Sequence, residues 1–183
     1  MELVAKYGFE WVSVSKICKA LDIAKGTMYC HFETKEELMN ACFVEVNREI
    51  SQFLVQNAMQ LMHTTSDVEE ILHHIWIKYF EFMIQNGNHS LYYYAYRQSE
   101  RLDQARLSNN TQMAQTMAPA MSGLEGMIGK IDSLKDIPFD YLWAHIIDCT
   151  GVYVNHILRG RISIGEIEQD KIWKLLFKGM LSS

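Results

Sequence analysis

Proline is almost missing from this chain: there are two in 183 residues, alongside only ten glycines. With so few chain breakers, and with scarce alternation of apolar and polar residues, the sequence favours helices over strands. No apolar run approaches the roughly 20 residues that a membrane-spanning helix needs, so no membrane partner is expected. The opening Met1-Glu2-Leu3-Val4-Ala5-Lys6 has neither the basic stretch nor the apolar core of a secretory leader. Cys18, Cys30, Cys42 and Cys149 never form a Cys-x-x-Cys pair, and three of them fall in helix-like segments where a small thiol serves as core filler. A reduced, cytoplasmic setting is the simpler expectation. Also missing are a Gly-x-Ser-x-Gly elbow, a P-loop, a dinucleotide fingerprint and a His-Glu-x-x-His zinc motif, so neither enzyme chemistry nor a cofactor is expected. His145 and Cys149 stand four apart on one helix and His63, His73 and His74 form a loose set, but isolated pairs of this kind do not make a metal site.

What is present is an ordinary globular balance, 49% hydrophobic and 21% charged. The net charge of −5 does not advertise a nucleic-acid binder. Its distribution is more informative. Between Ser13 and His31, Lys16, Lys19 and Lys25 face a single acid, Asp22, and the acidic excess resumes at Glu33, Glu36 and Glu37.

Val14, Ile17, Cys18 and Leu21 keep the spacing of one apolar helix face, with Ser13 as N-cap. Leu21-Asp22-Ile23 interrupts it, and Asp tolerates the left-handed backbone of a tight turn. A second short helix follows, with Met28 and Phe32 inward and Lys25, Thr27, Tyr29 and His31 outward. Thr34-Lys35-Glu36-Glu37 is a capping box that opens a long helix bearing Leu38, Cys42, Val46, Ile50, Phe53 and Leu54. Ser66-Asp67-Val68-Glu69 opens another, through Ile71, Leu72, Ile75, Tyr79 and Met83, which Asn86-Gly87-Asn88 ends. Leu91 to Arg101 reads as a helix, and Leu102 onward as one that Pro119 and the glycines at 123, 126 and 129 kink or divide. Pro138 suits the first turn of the next helix, which runs to about Arg159 with Gly160 past its end. Ser163-Ile164-Gly165-Glu166 opens a last helix with Ile167, Trp173, Leu176, Phe177 and Met180.

Two short helices joined by a tight turn, the second with an exposed polar face, describe a helix-turn-helix: the first braces the second, whose outer residues enter the major groove. The residues that carry it, Gly8-Phe9, Ser13-Val14, Ile17, Ile23, Lys25-Gly26-Thr27-Met28-Tyr29, His31-Phe32 and Lys35-Glu36-Glu37-Leu38, resemble the signature of the tetracycline-repressor (TetR) family over about Leu3 to Leu38. The resemblance implies an all-α fold of about nine helices, with a three-helix DNA-binding domain at 1–47 and a ligand-binding and dimerisation bundle at 48–183. It implies that Tyr29, Lys35 and Ser13 hold phosphates, that Lys25, Thr27 and Cys30 reach base edges, that His31 lies between the two roles, and that Gly26 lets the backbone approach the DNA. Met28, Phe32, Ile17 and Leu21 are expected to be core. Asp22 stands where the family has its turn glycine. Met1 falls inside the family's first helix, so the opening turns and basic arm of that helix are missing, and weaker DNA binding than a form with a complete first helix is expected.

The remaining chain carries most of the methionines, three of the four tryptophans and the run Tyr92-Tyr93-Tyr94-Ala95-Tyr96. A mostly apolar cavity with a few polar groups suits the small hydrophobic or amphipathic effectors that the family binds. Candidate lining residues are Trp76, Phe80, Met83, Tyr93, Met113, Met117, Trp143, His145, Cys149 and Tyr153; the competing reading makes each of them plain core. The family pairs its last two helices into a homodimer, for which Gly151 would allow close approach and Tyr141, Ile157, Trp173, Phe177 and Met180 would supply apolar area. The competing reading assigns these to the monomer's own core. The function so implied is that of a one-component transcriptional regulator, a repressor released from palindromic operator DNA by its effector. Two alternatives stay open: a helical small-molecule or protein-binding module with impaired DNA binding, and a small all-α enzyme that happens to contain a helix-turn-helix.

Overall fold

A computed structural model describes residues 1–62, 65, 67–103, 122–123, 125–126, 128–129, 131, 134, 136–163 and 169–181. Eight α-helices, and no strand, are defined among the described residues: α1 Glu2–Tyr7, α2 Val14–Leu21, α3 Lys25–Tyr29, α4 Lys35–Met62, α5 Val68–Gln85, α6 Gly87–Arg97, α7 Phe139–Leu158 and α8 Gln169–Leu181. The chain packs as two compact units, one from Met1–Glu49 with Asn86–Asn109, the other from Ile50–Gln85 with Asn110–Ser183. Packing therefore does not follow a single cut near residue 47, because α6 returns to the N-terminal unit.

The helix ends in that unit follow local chemistry. Ser13 accepts a 3.4 Å bond from the Lys16 amide, and Asp22 closes α2 in the left-handed region at φ 52°. Gly8, at φ 82°, ends α1 in a conformation that glycine adopts without a Cβ penalty. Thr34 Oγ1 accepts from the Glu37 amide at 3.0 Å, and the Glu37 carboxylate reaches back to the Glu33 amide at 2.7 Å. The cap forms as the sequence predicts, with the return bond landing one residue earlier than Thr34.

The core of this unit is aromatic. Met39, Phe43 and Val46 of α4 are buried, together with Val4, Ala5, Phe9, Tyr92, Tyr93 and Tyr96. Phe43 stacks on Tyr93 and Tyr96 with ring centroids 5.3 and 4.2 Å away, and Phe9 meets Tyr92 and Tyr96 edge-on at 5.4 and 5.9 Å. Each buried phenol has a partner on α4: the Met39 carbonyl for Tyr92 at 2.6 Å, Asn47 for Tyr93 at 3.1 Å and Asn40 for Tyr96 at 3.3 Å. The tyrosine run is thus largely spent on holding α6 against α4.

In the second unit, Asp67 caps α5, accepting from the amides of Glu69 and Glu70 at 2.9 and 3.2 Å; the Ser66 of the expected capping box lies outside the described residues. Ile71, Leu72, Ile75, Trp76, Tyr79, Phe80 and Met83 form the buried face of α5. Trp173 and Phe177 of α8 stack on each other at 3.7 Å, and Trp173 lies 5.8 Å from Trp76. The Trp76 indole donates to Thr150 Oγ1 of α7 at 2.9 Å, so the one polar atom that this ring carries into the core is satisfied. Pro138 precedes α7 and Gly160, at φ 68°, follows its end. No helix is long and apolar enough to cross a membrane among the described residues.

Candidate nucleic-acid interface and apolar cavity

The short helix α3 is anchored by one residue. Met28 is buried, while Lys25, Gly26, Thr27, Tyr29, Cys30 and His31 are all exposed. Ile17 and Cys18 of α2 are buried in the same unit and help form its core. The Ile23 amide bonds the Cys18 carbonyl at 3.0 Å, which tightens the turn between the two helices. A Cβ added at Gly26 would meet no atom within 4 Å, so the fold itself does not require glycine there. Phe32 is half-buried. Leu21 is not core: it is 63% exposed. As the last residue of α2 it precedes the left-handed turn, and the buried stripe of the helix narrows to Ile17 and Cys18.

Two cations frame the entrance to α2. Lys16 Nζ donates to the Trp11 carbonyl at 2.8 Å, and Lys35 Nζ, from the first turn of α4, donates to the Val12 carbonyl at 3.3 Å. Ser13 follows immediately and is exposed. One face of this unit therefore gathers Ser13, Lys16 and Lys35, donor groups that suit an anionic ligand.

The second unit contains an apolar cavity of about 30 Å³, lined by Leu54, Leu72, Ile75, Trp76, Tyr79, Ile128, Trp143, Ile146, Ile147 and Phe177. Of the sequence-predicted lining residues it brings together Trp76 and Trp143. Phe80 and Met83 are buried beside Trp76 on α5 without lining it. Tyr93 is not among the lining residues and belongs to the core of the other unit. His145 is exposed on α7, and Cys149 and Tyr153 are half-buried there. Cys149 Sγ lies 3.6 Å from His145 Nδ1, and burial together with the Asp148 charge raises the thiol pKa. Met113 and Met117 lie outside the described residues. Sequence reasoning missed Leu72, Ile75 and Tyr79, although their i, i+3, i+7 spacing on the same helix as Trp76 was the available signal.

The proposed dimer residues separate into two sets. Trp173 and Phe177 are buried in the protomer's own core, as is Gly151, and Ile157 is half-buried. Tyr141 is 73% exposed. The side chain of Met180 lies outside the described residues. Two residues not singled out from sequence, Val152 on α7 and Leu175 on α8, are exposed apolar groups at 41% and 75%.

Comparison with known proteins bears on these features. Residues 1–42 match the family model described as bacterial regulatory proteins, tetR family. An HTH-type transcriptional regulator of Staphylococcus aureus is 36% identical over 55 residues, a match that spans 30% of this chain and 28% of that relative. The fold extends much further. A TetR family transcription regulator from Marinobacter aquaeolei superposes with a TM-score of 0.67 at 22% identity, over 98% of this chain and 87% of the other. A similar regulator from Shewanella gives 0.70 at 19% identity, over 99% and 93%. The fatty acid degradation regulator FadR from Bacillus halodurans gives 0.63 at 20% identity, over 96% and 89%. Residues 1–42 therefore match the tetR family of bacterial regulatory proteins, and the all-helical fold is one shared with solved proteins of that family.

Proposed function

We propose that this regulator is a homodimeric repressor that reads palindromic operator DNA through α3 and leaves it when a small hydrophobic effector occupies the second unit. The observation that carries the reading is the division of α3: Met28 is buried while every other residue from Lys25 to His31 is exposed. A helix of five residues held by one buried side chain contributes little to a core. Its outer face is free to enter a major groove, with Lys25, Thr27 and Cys30 at base edges and Tyr29, Lys35 and Ser13 on phosphates. His31 serves either role, and Gly26 leaves room for close backbone approach. A two-fold dimer doubles the bases read, across half-sites roughly 34–36 Å or a multiple of that apart.

The cavity supports the effector part of the reading. Its described lining is aromatic and aliphatic, which favours an apolar ligand. Its 30 Å³ is about the share of one water molecule in the liquid, far below the roughly 300 Å³ of a typical ligand site. An effector entering this cavity would have to displace lining side chains, which would set its binding against the unliganded packing. Effector and DNA would then oppose each other with a coupling of about 1–3 kcal/mol.

Operator fragments selected from a random duplex pool provide the test. Wild-type protein is expected to bind them with strong salt dependence, and Tyr29→Phe, which removes only a hydroxyl, to weaken binding about tenfold, the equivalent of one charge-assisted hydrogen bond. Failure to enrich any duplex, or full affinity in the Tyr29→Phe protein, would overturn the assignment. In that event a helical binding module without DNA activity becomes the better reading.

A further inference from the structure

Residues 7–16 carry a cluster that the reading helix does not explain. Tyr7 and Trp11 stack with ring centroids 4.1 Å apart, yet they remain 45% and 43% exposed. The Lys16 ammonium lies 3.2 Å from the Trp11 ring centroid while it donates to the Trp11 carbonyl. Lys6 stands 5.0 Å from the Tyr7 ring. Lys35 joins from α4 through the neighbouring Val12 carbonyl. Each of these residues leaves over two fifths of its surface in solvent, more than packing alone asks of a large aromatic side chain. The cations on them are better explained by a polyanion.

We propose that the Tyr7–Trp11–Lys16 ledge is a second, sequence-independent DNA contact that grips the sugar–phosphate backbone flanking the bases read by α3. This rests on the reading of the N-terminal unit as DNA-binding. The chemistry of the ledge selects the occupant. Trp11 offers an indole N–H, a donor without acceptor capacity, and a flat face for deoxyribose. Lys16 uses one of its three N–H donors on the Trp11 carbonyl, and no carboxylate pairs with it among the described residues. The acids nearby are engaged or offset: Glu10 pairs with Arg101 at 3.2 Å, Glu36 lies 3.7 Å from Lys35, and Glu2 is the carboxylate acting on Lys6. The ledge is continuous with Ser13 and Lys35, already assigned to phosphates, so one strand passing those residues would also meet Trp11. On this proposal the ledge meets only sugar and phosphate, which carry no sequence information, and so should strengthen all duplexes alike.

The experiment measures binding of full-length protein to a selected operator and to an unrelated duplex of equal length, across a salt series. Trp11→Ala is expected to weaken both by a similar factor of about three to ten. Lys16→Gln is expected to weaken both and to lower the slope of log affinity against log salt by about one, the loss of one neutralised phosphate. Trp11→Phe keeps the stack but not the donor, and should fall between wild type and Trp11→Ala. Unchanged affinities in Trp11→Ala and Lys16→Gln, measured well below their melting temperatures, overturn the proposal and leave the cluster a surface brace. A loss confined to the operator also overturns it, because the ledge would then be reading sequence. If wild-type protein binds neither duplex, this inference falls together with the DNA-binding assignment; if wild type binds and the variants match it, only this inference falls.

Discussion

Tyr92 is completely buried, and its hydroxyl is 2.6 Å from the Met39 carbonyl of α4. Burial pushes the phenol far above the ordinary value of 10.0, with smaller contributions of the same sign from Cys42 and Tyr96 and an opposing one from Arg101. Burial raises Tyr96 as well. A group whose pKa is raised by folding stabilises the native state fully below the unfolded value, and that contribution is lost as the pH climbs above it. Stability should accordingly be level through neutral pH and fall above about pH 10, where the unfolded chain begins to lose phenolic protons that the native state retains. In Tyr92→Phe the alkaline fall should be shallower, although stability at pH 7 drops by about 1 kcal/mol with the hydrogen bond. Denaturant midpoints measured from pH 7 to 11 check both parts, and an alkaline limb as steep as that of wild type would show that Tyr92 is not its source.

The caps and turns were the elements most legible in sequence. Ser13, Asp22, Thr34, Pro138 and Gly160 act through their own backbone and its nearest neighbours, so no distant packing is needed to infer them. The faces of the helices were read less well. The pattern on α4 pointed to Leu38, Cys42, Val46, Ile50, Phe53 and Leu54; Val46, Ile50 and Leu54 are buried, but Leu38, Cys42 and Phe53 are half-buried and Met39 and Phe43 complete the buried stripe. A helix of 28 residues rich in apolar side chains offers two overlapping stripes, and which one is covered depends on the partner; here the α6 tyrosines select Met39 and Phe43. Leu21 failed for a related reason: its spacing fits the α2 stripe, but as the last residue of the helix before the left-handed turn it stays exposed. Because the Thr34 cap is local and holds the start of the helix that carries Lys35, its loss should have a measurable cost. Thr34→Ala is expected to destabilise the protein by about 1 kcal/mol, as loss of an N-cap does elsewhere. It should also weaken DNA binding, since Lys35 would lose its fixed position on the Val12 carbonyl. Thermal melts and affinity measurements that both match wild type would show that the cap contributes to neither.

At the scale of the whole molecule, the resemblance to the tetR family and the helical architecture it implies could be read from the first 38 residues, but the assignment of aromatic residues could not. Tyr93, Trp173 and Phe177 had the composition of pocket or interface residues, and all three are buried in protomer cores. Among the described residues, the large apolar groups left exposed on the last two helices are Tyr141, Val152 and Leu175, which is where we place the apolar contact of a dimer. The two explanations for these helices make opposite forecasts. If Leu175 and Tyr141 are buried against a symmetry mate, each substitution acts twice across the two-fold axis. Burial of a leucine contributes about 1.5–3 kcal/mol, so Leu175→Glu should weaken dimerisation by at least 100-fold while leaving the melting temperature of the monomer nearly unchanged. Tyr141→Glu should act in the same direction. Trp173→Ala should do the reverse, lowering the melting temperature through a core cavity of the kind that costs about 3–5 kcal/mol. Light scattering and sedimentation at micromolar protein, beside thermal melts, separate these effects. A wild-type protein that is monomeric at that concentration, or a Leu175→Glu protein that stays dimeric, would rule out this surface as the one that joins the two reading heads.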